Sequence, residues 1–541
     1  MEKNRNLYFT GLSIFTGTVL WMAWPPKHYV FLIFFAFIPL LYIEQDFYRK
    51  KIYRSELKLF LFSFLTFLIW NALTTYWLYN ATLEGAFMAI FINSLLMSLP
   101  LLLFHKVKRY LKKEISLIYF ICFWLSYELL HLSWDFSWPW LHLGNAFAVK
   151  PEWIQWYEYT GILGGTFWIL LVNISVFYLL KRLNKSIKRI VKDSTFYLRF
   201  ILVAFVVIVP IIISNLIKVE TLEQSPKNVV IVQPNVDPYS EKFASGTYQE
   251  QIENLLNLSR KNIDSNTVLL VWPETAISRP VDENQLKSNN SMILISRLLK
   301  QYPNIKLIAG MDSYRFFKKG EELSPTARFY KSDSTYYDSY NSALMLDHNL
   351  NYEIYHKSRL VPGVEQMPYP KTFKFLEKLI IDLGGTSGSL GRQKEASIFK
   401  INDDIKVAPI ICYESVYGDY LGDFVMKGAN IITIITNDGW WGDTPGYKQH
   451  YLYSVLRAIE MRRNVIRSAN TGVSCYVNSK GEIIQKTNWW ERATIKQKIS
   501  LNNKITFYAN AGDYIGRIAS LISILILLVA IVRRFSRKSL I

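Results

Sequence analysis

The sequence predicts a multi-span α-helical membrane domain over residues 1–217, an α/β domain over residues 218–513, and a C-terminal membrane helix with a basic tail over residues 514–541. Three observations support this division. Of the 541 residues, 50% are hydrophobic and 15% are aromatic, which is high for a soluble enzyme. Long apolar stretches lie before residue 218 and after residue 513. Between them, short apolar runs alternate with helix-like stretches, which is typical of a layered α/β fold.

Eight apolar stretches are predicted to cross a bilayer, although the shorter ones are marginal in length. Seven precede the α/β domain and one follows it: residues 8–23, 29–44, 58–76, 84–104, 115–132, 160–180, 197–217 and 514–532. The first stretch contains Trp21, and Trp24 with Pro25-Pro26 follows it, without a small-residue cleavage pattern. We therefore expect it to remain as an anchor rather than to be removed as a signal peptide.

The distribution of charge predicts the orientation of these spans. A net charge of +19 is compatible with binding of nucleic acid, but much of the positive charge lies in short segments between the spans and at the termini. Of the 62 Lys and Arg residues, 22 lie in segments 1–7, 45–58, 105–114, 181–193 and 533–541. The intervening loops 24–28, 77–83 and 133–159 contain only two basic residues, Lys27 and Lys150. Every second loop is basic, as the positive-inside rule requires. Both termini are therefore expected to be cytoplasmic, with residues 218–513 on the outer face and no nucleic-acid partner.

The α/β domain has its own pattern of elements. Short apolar runs predict buried strands at 229–232, 268–272, 306–309, 343–346, 407–411, 430–436 and 472–477. Longer stretches at 246–261, 285–301 and 447–465 predict helices between some of these strands. The three cysteines make no disulfide framework, because Cys122 falls in a span and Cys475 falls in a predicted core strand.

Three segments of this domain carry reactive side chains at loop-like positions. Val-Leu-Leu-Val-Trp-Pro-Glu (268–274) ends in Glu274, Lys357 lies ahead of a Pro-Gly turn, and Cys412 follows the run 407–411. A carboxylate can take the proton of a thiol, and an ammonium can stabilise the oxyanion that forms when the thiolate attacks a carbonyl. The set predicts acyl transfer. Taken singly, the residues could equally be a packed cysteine, a solvated lysine and a helix-capping glutamate.

An ordered series of motifs makes the chain resemble the nitrilase superfamily and, more closely, its membrane-bound branch, the apolipoprotein N-acyltransferases. The series covers roughly residues 220–505 and comprises Trp272-Pro273-Glu274, Lys357 with Leu360-Val361-Pro362 and Glu365, Cys412-Tyr413-Glu414, and Asn437-Asp438-Gly439-Trp440-Trp441-Gly442-Asp443 followed by Gln449-His450. The resemblance implies an α-β-β-α sandwich for the α/β domain.

The resemblance also implies a role for each matching catalytic position. Glu274 would be the general base, Lys357 the oxyanion stabiliser and Cys412 the nucleophile. Supporting roles would fall to three further residues, Glu365, Glu414 and Asn341. One departure is visible: where many relatives read Leu-Val-Pro-Phe-Gly-Glu-Tyr, this chain reads Leu-Val-Pro-Gly-Val-Glu-Gln (360–366). Glu365 is kept, but the flexibility of the loop and any hydrogen bond made by the tyrosine of the relatives do not carry over.

Aromatic residues are candidates for lipid binding. The resemblance implies that Tyr413 and Trp440 shape an acyl pocket. The loop from His131 to Trp156 holds five tryptophans, at positions 134, 138, 140, 153 and 156. These indoles suit either an aromatic belt at the bilayer interface or a wall for lipid entry, to which we assign Trp140. His131 and His142 lack the clustered partners of a metal site, so no metal is expected.

These inferences predict a specific reaction. The enzyme would take an acyl chain from a phospholipid and hold it as a thioester on the cysteine. The resemblance implies that the acceptor is the N-terminal α-amino group of a diacylglyceryl-cysteine on an apolipoprotein. We expect no cofactor, a monomer, and a location in the bacterial inner membrane with the catalytic domain on the periplasmic face. Two alternatives remain open: a membrane-tethered nitrilase-type amidase that hydrolyses a small amide or nitrile, and a transporter or lipid-binding protein that has lost catalysis.

Overall fold

A computed structural model describes residues 2–50, 52–111, 116–183, 194–219, 227–369 and 389–538. The chain forms two compact units. The first comprises Met1–Tyr76, Ala86–Lys218 and Asp513–Ile541, and the second comprises Trp77–Gly85 and Val219–Gly512. Segment Trp77–Gly85 thus groups with the second unit, although it falls in the middle of the predicted membrane domain.

The first unit is helical. Its α-helices are Glu2–Ala23, Ile38–Lys50, Ser55–Thr75, Leu83–Lys108, Ser116–Leu130, Tyr157–Leu183, Ser194–Leu216 and Tyr514–Lys538. Short 3₁₀ helices occur at Val30–Phe34, Pro139–Leu141, Leu143–Val149 and Pro151–Trp153. Aromatic side chains fill the interior, for example Trp24 against Trp70 and Phe37 against Trp124, in edge-to-face contacts with ring centroids 5.2 and 5.1 Å apart.

Six of the described helical segments are long and apolar enough to cross a membrane: Val30–Lys50, Ser55–Thr75, Leu83–Lys108, Tyr157–Lys181, Ser194–Leu216 and Tyr514–Ser536. The other two predicted spans also coincide with helices. Stretch 8–23 lies in Glu2–Ala23, which is not among these six, and stretch 115–132 overlaps a shorter apolar helix, Leu117–Leu130. Their crossing of the bilayer stays a prediction.

The second unit contains the strands of the described chain. They are β1 Lys227–Gln233, β2 Thr267–Val271, β3 Ile277–Asp282, β4 Lys306–Phe316, β5 Arg328–Tyr330, β6 Thr335–Leu346, β7 Tyr352–His356, β8 Phe399–Lys400, β9 Lys406–Ile411, β10 Ile431–Thr436, β11 Asn464–Ala469, β12 Cys475–Val477, β13 Ile483–Lys486 and β14 Ala493–Ile499. Its α-helices are Leu78–Ala81, Tyr248–Arg260, Asn290–Leu299, Gly418–Met426, Pro445–Met461 and Phe507–Ala511, with 3₁₀ helices at Glu283–Ser288, Cys412–Val416 and Asp438–Trp441.

The strands form two sheets that pack face to face. The first sheet has the order β14-β1-β2-β4-β6-β5, with β3 on β4 and β7 on β6, and the second has the order β13-β12-β11-β10-β9-β8. Hydrogen bonds join them: Ser468 Oγ donates to the Val232 carbonyl at 3.0 Å, and Tyr476 Oη donates to the Val229 carbonyl at 2.7 Å.

Helices cover both outer faces of this pair of sheets. Ile252 and Leu255 of helix Tyr248–Arg260 and Ile295 of helix Asn290–Leu299 belong to the apolar core beneath the first sheet. Helices Gly418–Met426 and Pro445–Met461 lie on the second sheet, against β9 and β11. The result is the α-β-β-α sandwich of a nitrilase-like domain, so the predicted fold class is confirmed.

One predicted helix is wrong at its end. The expected helix 447–465 instead ends at Met461, because Arg462 adopts a left-handed backbone conformation with φ 50°, and the chain enters β11 at Asn464. Strand β11 lies between β10 and β12 and is parallel to β10. Its Arg467 and Ser468 are polar yet fully buried, so a search for runs of apolar residues does not identify this strand.

Candidate active site

Glu274 lies just beyond the carboxyl end of β2. The chain continues along β4 after the strand ends, with Trp272 N donating to the Ile308 carbonyl at 2.8 Å and Gly310 N donating to the Pro273 carbonyl at 3.0 Å. A Cβ on Gly310 would lie only 2.5 Å from Glu274 Cα, so glycine is required for this close approach. Thr275 then turns the chain with φ 46°. The Glu274 side chain is thereby held at a buried site, 9% exposed.

Lys357 directly follows β7 and is almost wholly buried. Its backbone N–H donates to the Asn341 carbonyl at 2.9 Å, which extends the pairing of β7 with β6. Its Nζ lies 2.8 Å from Glu365 Oε1 and 3.4 Å from Glu274 Oε1. Burial alone would lower the pKa of Lys357, but the two carboxylates outweigh it and raise the pKa well above its usual value. The ammonium is therefore charged throughout the physiological range.

Asn341, on β6, joins the two carboxylates. Its Nδ2 donates to Glu274 Oε1 at 2.8 Å and to Glu365 Oε1 at 3.0 Å. Glu365 is itself fixed by the Val361 N–H, which donates to Oε2 at 2.8 Å. This bond forms within the Gly-Val variant of the loop, so the departure from the common motif leaves the Glu365 carboxylate in contact with Lys357.

Cys412 occupies the turn between β9 and the 3₁₀ helix Cys412–Val416. Its backbone is left-handed with φ 48°, a conformation that non-glycine residues seldom adopt and that is found preferentially at functional sites. Burial raises the pKa of the half-buried thiol, Glu274 raises it further, and Lys357 opposes the rise. The resting side chain is therefore a neutral thiol that needs a base in order to react.

Glu414 connects the cysteine turn to the lysine loop. Its Oε1 accepts from Tyr355 Oη at 2.6 Å and from the N–H groups of Ser358 and Arg359 at 2.7 and 3.2 Å, while its Oε2 accepts from Ile411 N at 2.9 Å. One oxygen thus binds the residues that follow Lys357, and the other binds the residue that precedes Cys412. This fully buried carboxylate fixes the spacing of the two segments.

Three groups near Glu274 have no role assigned to them from the sequence. Asn437 N donates to Glu274 Oε2 at 3.0 Å, and Lys242 Nζ donates to the Glu274 carbonyl at 3.1 Å. Asp312, on β4, faces the same cluster: burial raises its pKa to about 7 against the opposing charge of Lys242, and burial lowers the pKa of Lys242 to about 8. The polar sequence around Lys242 gave no indication of a buried cation.

The predicted aromatic residues fall in different units. Trp440 is partly exposed beside the site, in an edge contact with Tyr239 at 5.2 Å and stacked on Phe243 at 6.4 Å. Tyr413 is buried against Tyr417. Trp140 lies in the helical unit, buried and stacked on Trp138. Contact of these residues with lipid stays a prediction.

Family models match both units. The one described as apolipoprotein N-acyltransferase N-terminal domain matches residues 16–175, and the one described as carbon-nitrogen hydrolase matches residues 229–506. The chain belongs to the carbon-nitrogen hydrolase family. The N-terminal match and the curated relatives place it among the N-acyltransferase enzymes of that family, the apolipoprotein N-acyltransferases.

The curated relatives are similar over nearly the whole chain. Apolipoprotein N-acyltransferase of Chlorobaculum tepidum is 29% identical and covers 97% of this chain and 96% of its own length. That of Geobacter metallireducens is 23% identical, with 93% and 91% covered. Among solved structures, an amidase of Nesterenkonia AN1 from the nitrilase superfamily is 11% identical, covers 55% of this chain and 98% of its own, and has a TM-score of 0.37. The names of the relatives and the apolar helices agree on a membrane protein.

Proposed function

We propose that this enzyme moves an acyl chain from a phospholipid to the N-terminal α-amino group of a diacylglyceryl-cysteine on apolipoproteins, by way of a thioester on Cys412. The observation that carries the proposal is the buried pair of Glu274 and Lys357, 3.4 Å apart, whose charges act on the thiol at the left-handed turn. The names of the relatives support the acceptor class.

In the first half-reaction the Cys412 thiol attacks the ester carbonyl of the phospholipid. Because the pKa of the thiol is raised, proton transfer to Glu274 accompanies the attack. The oxyanion forms near Lys357, whose permanent charge stabilises it in a site with little water. The C–O ester bond then breaks, the leaving oxygen takes the proton from Glu274, and a lysophospholipid departs. The acyl chain remains on sulfur.

In the second half-reaction the neutral α-amino group of the acceptor attacks the thioester. Glu274 takes the proton from the attacking nitrogen, the C–S bond breaks, and the sulfur recovers a proton. The products are the amide and the free thiol, so the cycle is of the ping-pong type. Asn341 and the Asn437 N–H hold both oxygens of Glu274 in place through the two transfers.

The proposal assigns lipid contact to the aromatic residues Tyr413, Trp440 and Trp140, and it needs no cofactor. An apolar pocket would keep water from the thioester, since hydrolysis would release fatty acid instead of forming the amide. The basic loops support an inner-membrane protein with both termini in the cytoplasm and the catalytic domain in the periplasm. A monomer suffices, because one chain carries every catalytic group named above.

Transfer can be separated from hydrolysis in one experiment. The purified full chain is incubated with vesicles of acyl-labelled phosphatidylethanolamine and a synthetic diacylated lipopeptide, with Cys412→Ala and Glu274→Gln as comparisons. Label in an amide of the lipopeptide, absent from both variants, supports the proposal. Label released only as free fatty acid, or turnover of a small amide without transfer, would favour the membrane-tethered amidase. Unchanged transfer by Cys412→Ala would refute the thioester.

A further inference from the structure

A second buried cluster lies behind the cysteine turn. His450, on helix Pro445–Met461, places Nδ1 2.9 Å from Asp438 Oδ1 and 3.0 Å from Arg467 Nη2. Arg467 also pairs with Asp438 Oδ2 at 2.7 Å. The side chains of all three residues are almost completely excluded from solvent. Burial alone would raise the pKa of Asp438, but Arg467 and His450 outweigh it and lower the pKa. The charged pair fixes one edge of the imidazole ring.

The other edge of the ring faces the backbone of the cysteine. His450 Nε2 lies 3.0 Å from Ser415 Oγ and 3.3 Å from the Cys412 carbonyl oxygen. Ser415 Oγ in turn donates to the same carbonyl at 2.7 Å. A carbonyl only accepts, so the contact with His450 is a hydrogen bond in the tautomer that carries its hydrogen on Nε2. In that tautomer Nδ1 accepts from Arg467 Nη2, which also pairs with Asp438.

These contacts hold the Cys412 carbonyl in the orientation that its left-handed backbone requires. Without donors on this oxygen, rotation of the Cys412 peptide toward common backbone angles would swing the thiol away from Glu274 and Lys357. The contact between Nε2 and the Cys412 carbonyl links the ring to the position of the thiol.

We infer that His450 is a positioning residue, which holds the Cys412 carbonyl through Nε2 and thereby aims the thiol at its base. The inference rests on the proposed role of Cys412 as nucleophile. It differs from a merely structural role, in which the contact of Nδ1 with Asp438 and Arg467 would be the important one.

Two substitutions separate these roles. In His450→Gln the amide nitrogen falls near the position of Nε2, so a donor to the Cys412 carbonyl is kept. In His450→Asn the shorter amide falls near Nδ1, so a contact with Asp438 and Arg467 is kept, and the carbonyl loses the donor at Nε2 but keeps the one from Ser415. His105 provides a matched control, because in the helical unit its Nδ1 lies 2.9 Å from Glu44 and its Nε2 3.2 Å from Ser55 Oγ.

The test measures alkylation of Cys412 by iodoacetamide in the full-length protein in detergent, and kcat and KM for acyl transfer. Because misplacing a reactive group by about 1 Å can reduce a rate about 100-fold, His450→Asn should slow alkylation and lower kcat by roughly 30-fold or more, with KM for the phospholipid within about twofold. His450→Gln should stay within about fivefold of wild type in both rates. His105→Gln should leave the alkylation rate unchanged.

Results that contradict the role of His450 differ from results that contradict the proposed function. Alkylation at the wild-type rate in His450→Asn would overturn the inference, and so would a larger loss in His450→Gln than in His450→Asn. Failure of the proposed function would look different, because Cys412→Ala would then keep transferring acyl chains. Alkylation does not depend on the acyl-transfer reaction, so it would still decide whether His450 sets the position of the thiol.

Discussion

Replacing Glu414 with glutamine removes one acceptor and keeps the shape of the side chain. The amide oxygen can still accept from Tyr355, Ser358 and Arg359. The amide nitrogen then faces the Ile411 N–H, where the carboxylate accepted at 2.9 Å. Turning the amide over would take the acceptor away from the N–H groups of both Ser358 and Arg359, so this orientation is the less costly one.

The size of the effect follows from that single lost contact. A hydrogen bond to a charged group contributes roughly 1.5–3 kcal/mol, and a buried unpaired N–H costs a similar amount. Burial raises the pKa of Glu414, so the neutral amide recovers part of this loss. We expect a net loss of about 2 kcal/mol, or about 4 °C in the melting temperature of the catalytic domain.

The effect on kcat should be larger than a modest loss of stability alone would cause. Loosening the peptide before Cys412 changes its distance from Lys357, and a displacement of about 1 Å can cost about 100-fold in kcat. The KM for phospholipid should not change, because Glu414 is 0% exposed. Melting and acyl-transfer kinetics would be measured beside Glu395→Gln, a control at an exposed carboxylate paired with Lys427. A kcat within threefold of wild type, or a change confined to KM, would mean that Glu414 does not set the position of Cys412.

Three further predictions concern the surroundings of Glu274. Because the pKa of Asp312 is raised to about 7 in the folded protein, its carboxyl group keeps a proton that the unfolded chain releases above about pH 4. The free energy of unfolding therefore falls as the pH rises to about 7. In Asp312→Asn the melting temperature should fall less between pH 5 and pH 8 than in wild type. Gly310→Ala should lower kcat at least tenfold, because its Cβ displaces the Glu274 backbone. Asn341→Asp should be less active than Asn341→Ala, since it adds a third carboxylate between Glu274 and Glu365.

Each of these predictions has a matched control and a contrary result. Asp403→Asn, at an exposed aspartate, should keep the pH profile of wild type, and an equally steep profile in Asp312→Asn would contradict the first prediction. Gly11→Ala has open space around its Cβ and should be silent, whereas full activity in Gly310→Ala would contradict the second. Asn349→Asp is the exposed control for the third prediction, which greater activity in Asn341→Asp than in Asn341→Ala would contradict.

The sequence predicted those parts of the site that follow apolar strands. Glu274 and Cys412 come directly after such runs, and β2 and β9 form there with buried residues throughout most of their length. Lys357 follows β7, which the apolar pattern missed because Tyr352, Glu353 and His356 are polar or exposed. The order of the motifs, rather than the strand pattern, located this lysine.

The remaining features could not be predicted because buried charge obscures the pattern. The predicted helix 447–465 extended into β11, whose Arg467 is paired inside the domain with Asp438. Lys242 lies in a polar stretch, and only the fold brings its ammonium to the Glu274 carbonyl. The place of segment Trp77–Gly85 depends on contacts distant in sequence, such as Asn80 Nδ2 donating to the Trp441 carbonyl at 2.7 Å.

The thioester on Cys412 is tested most directly by the mass of the Cys412 peptide after the purified protein is incubated with phospholipid. We expect a hydroxylamine-sensitive increase equal to one acyl chain, which disappears when a diacylated lipopeptide is added and gains that chain as an amide. An unmodified Cys412 peptide in protein that still transfers acyl chains, with Cys412→Ala equally active, would contradict it.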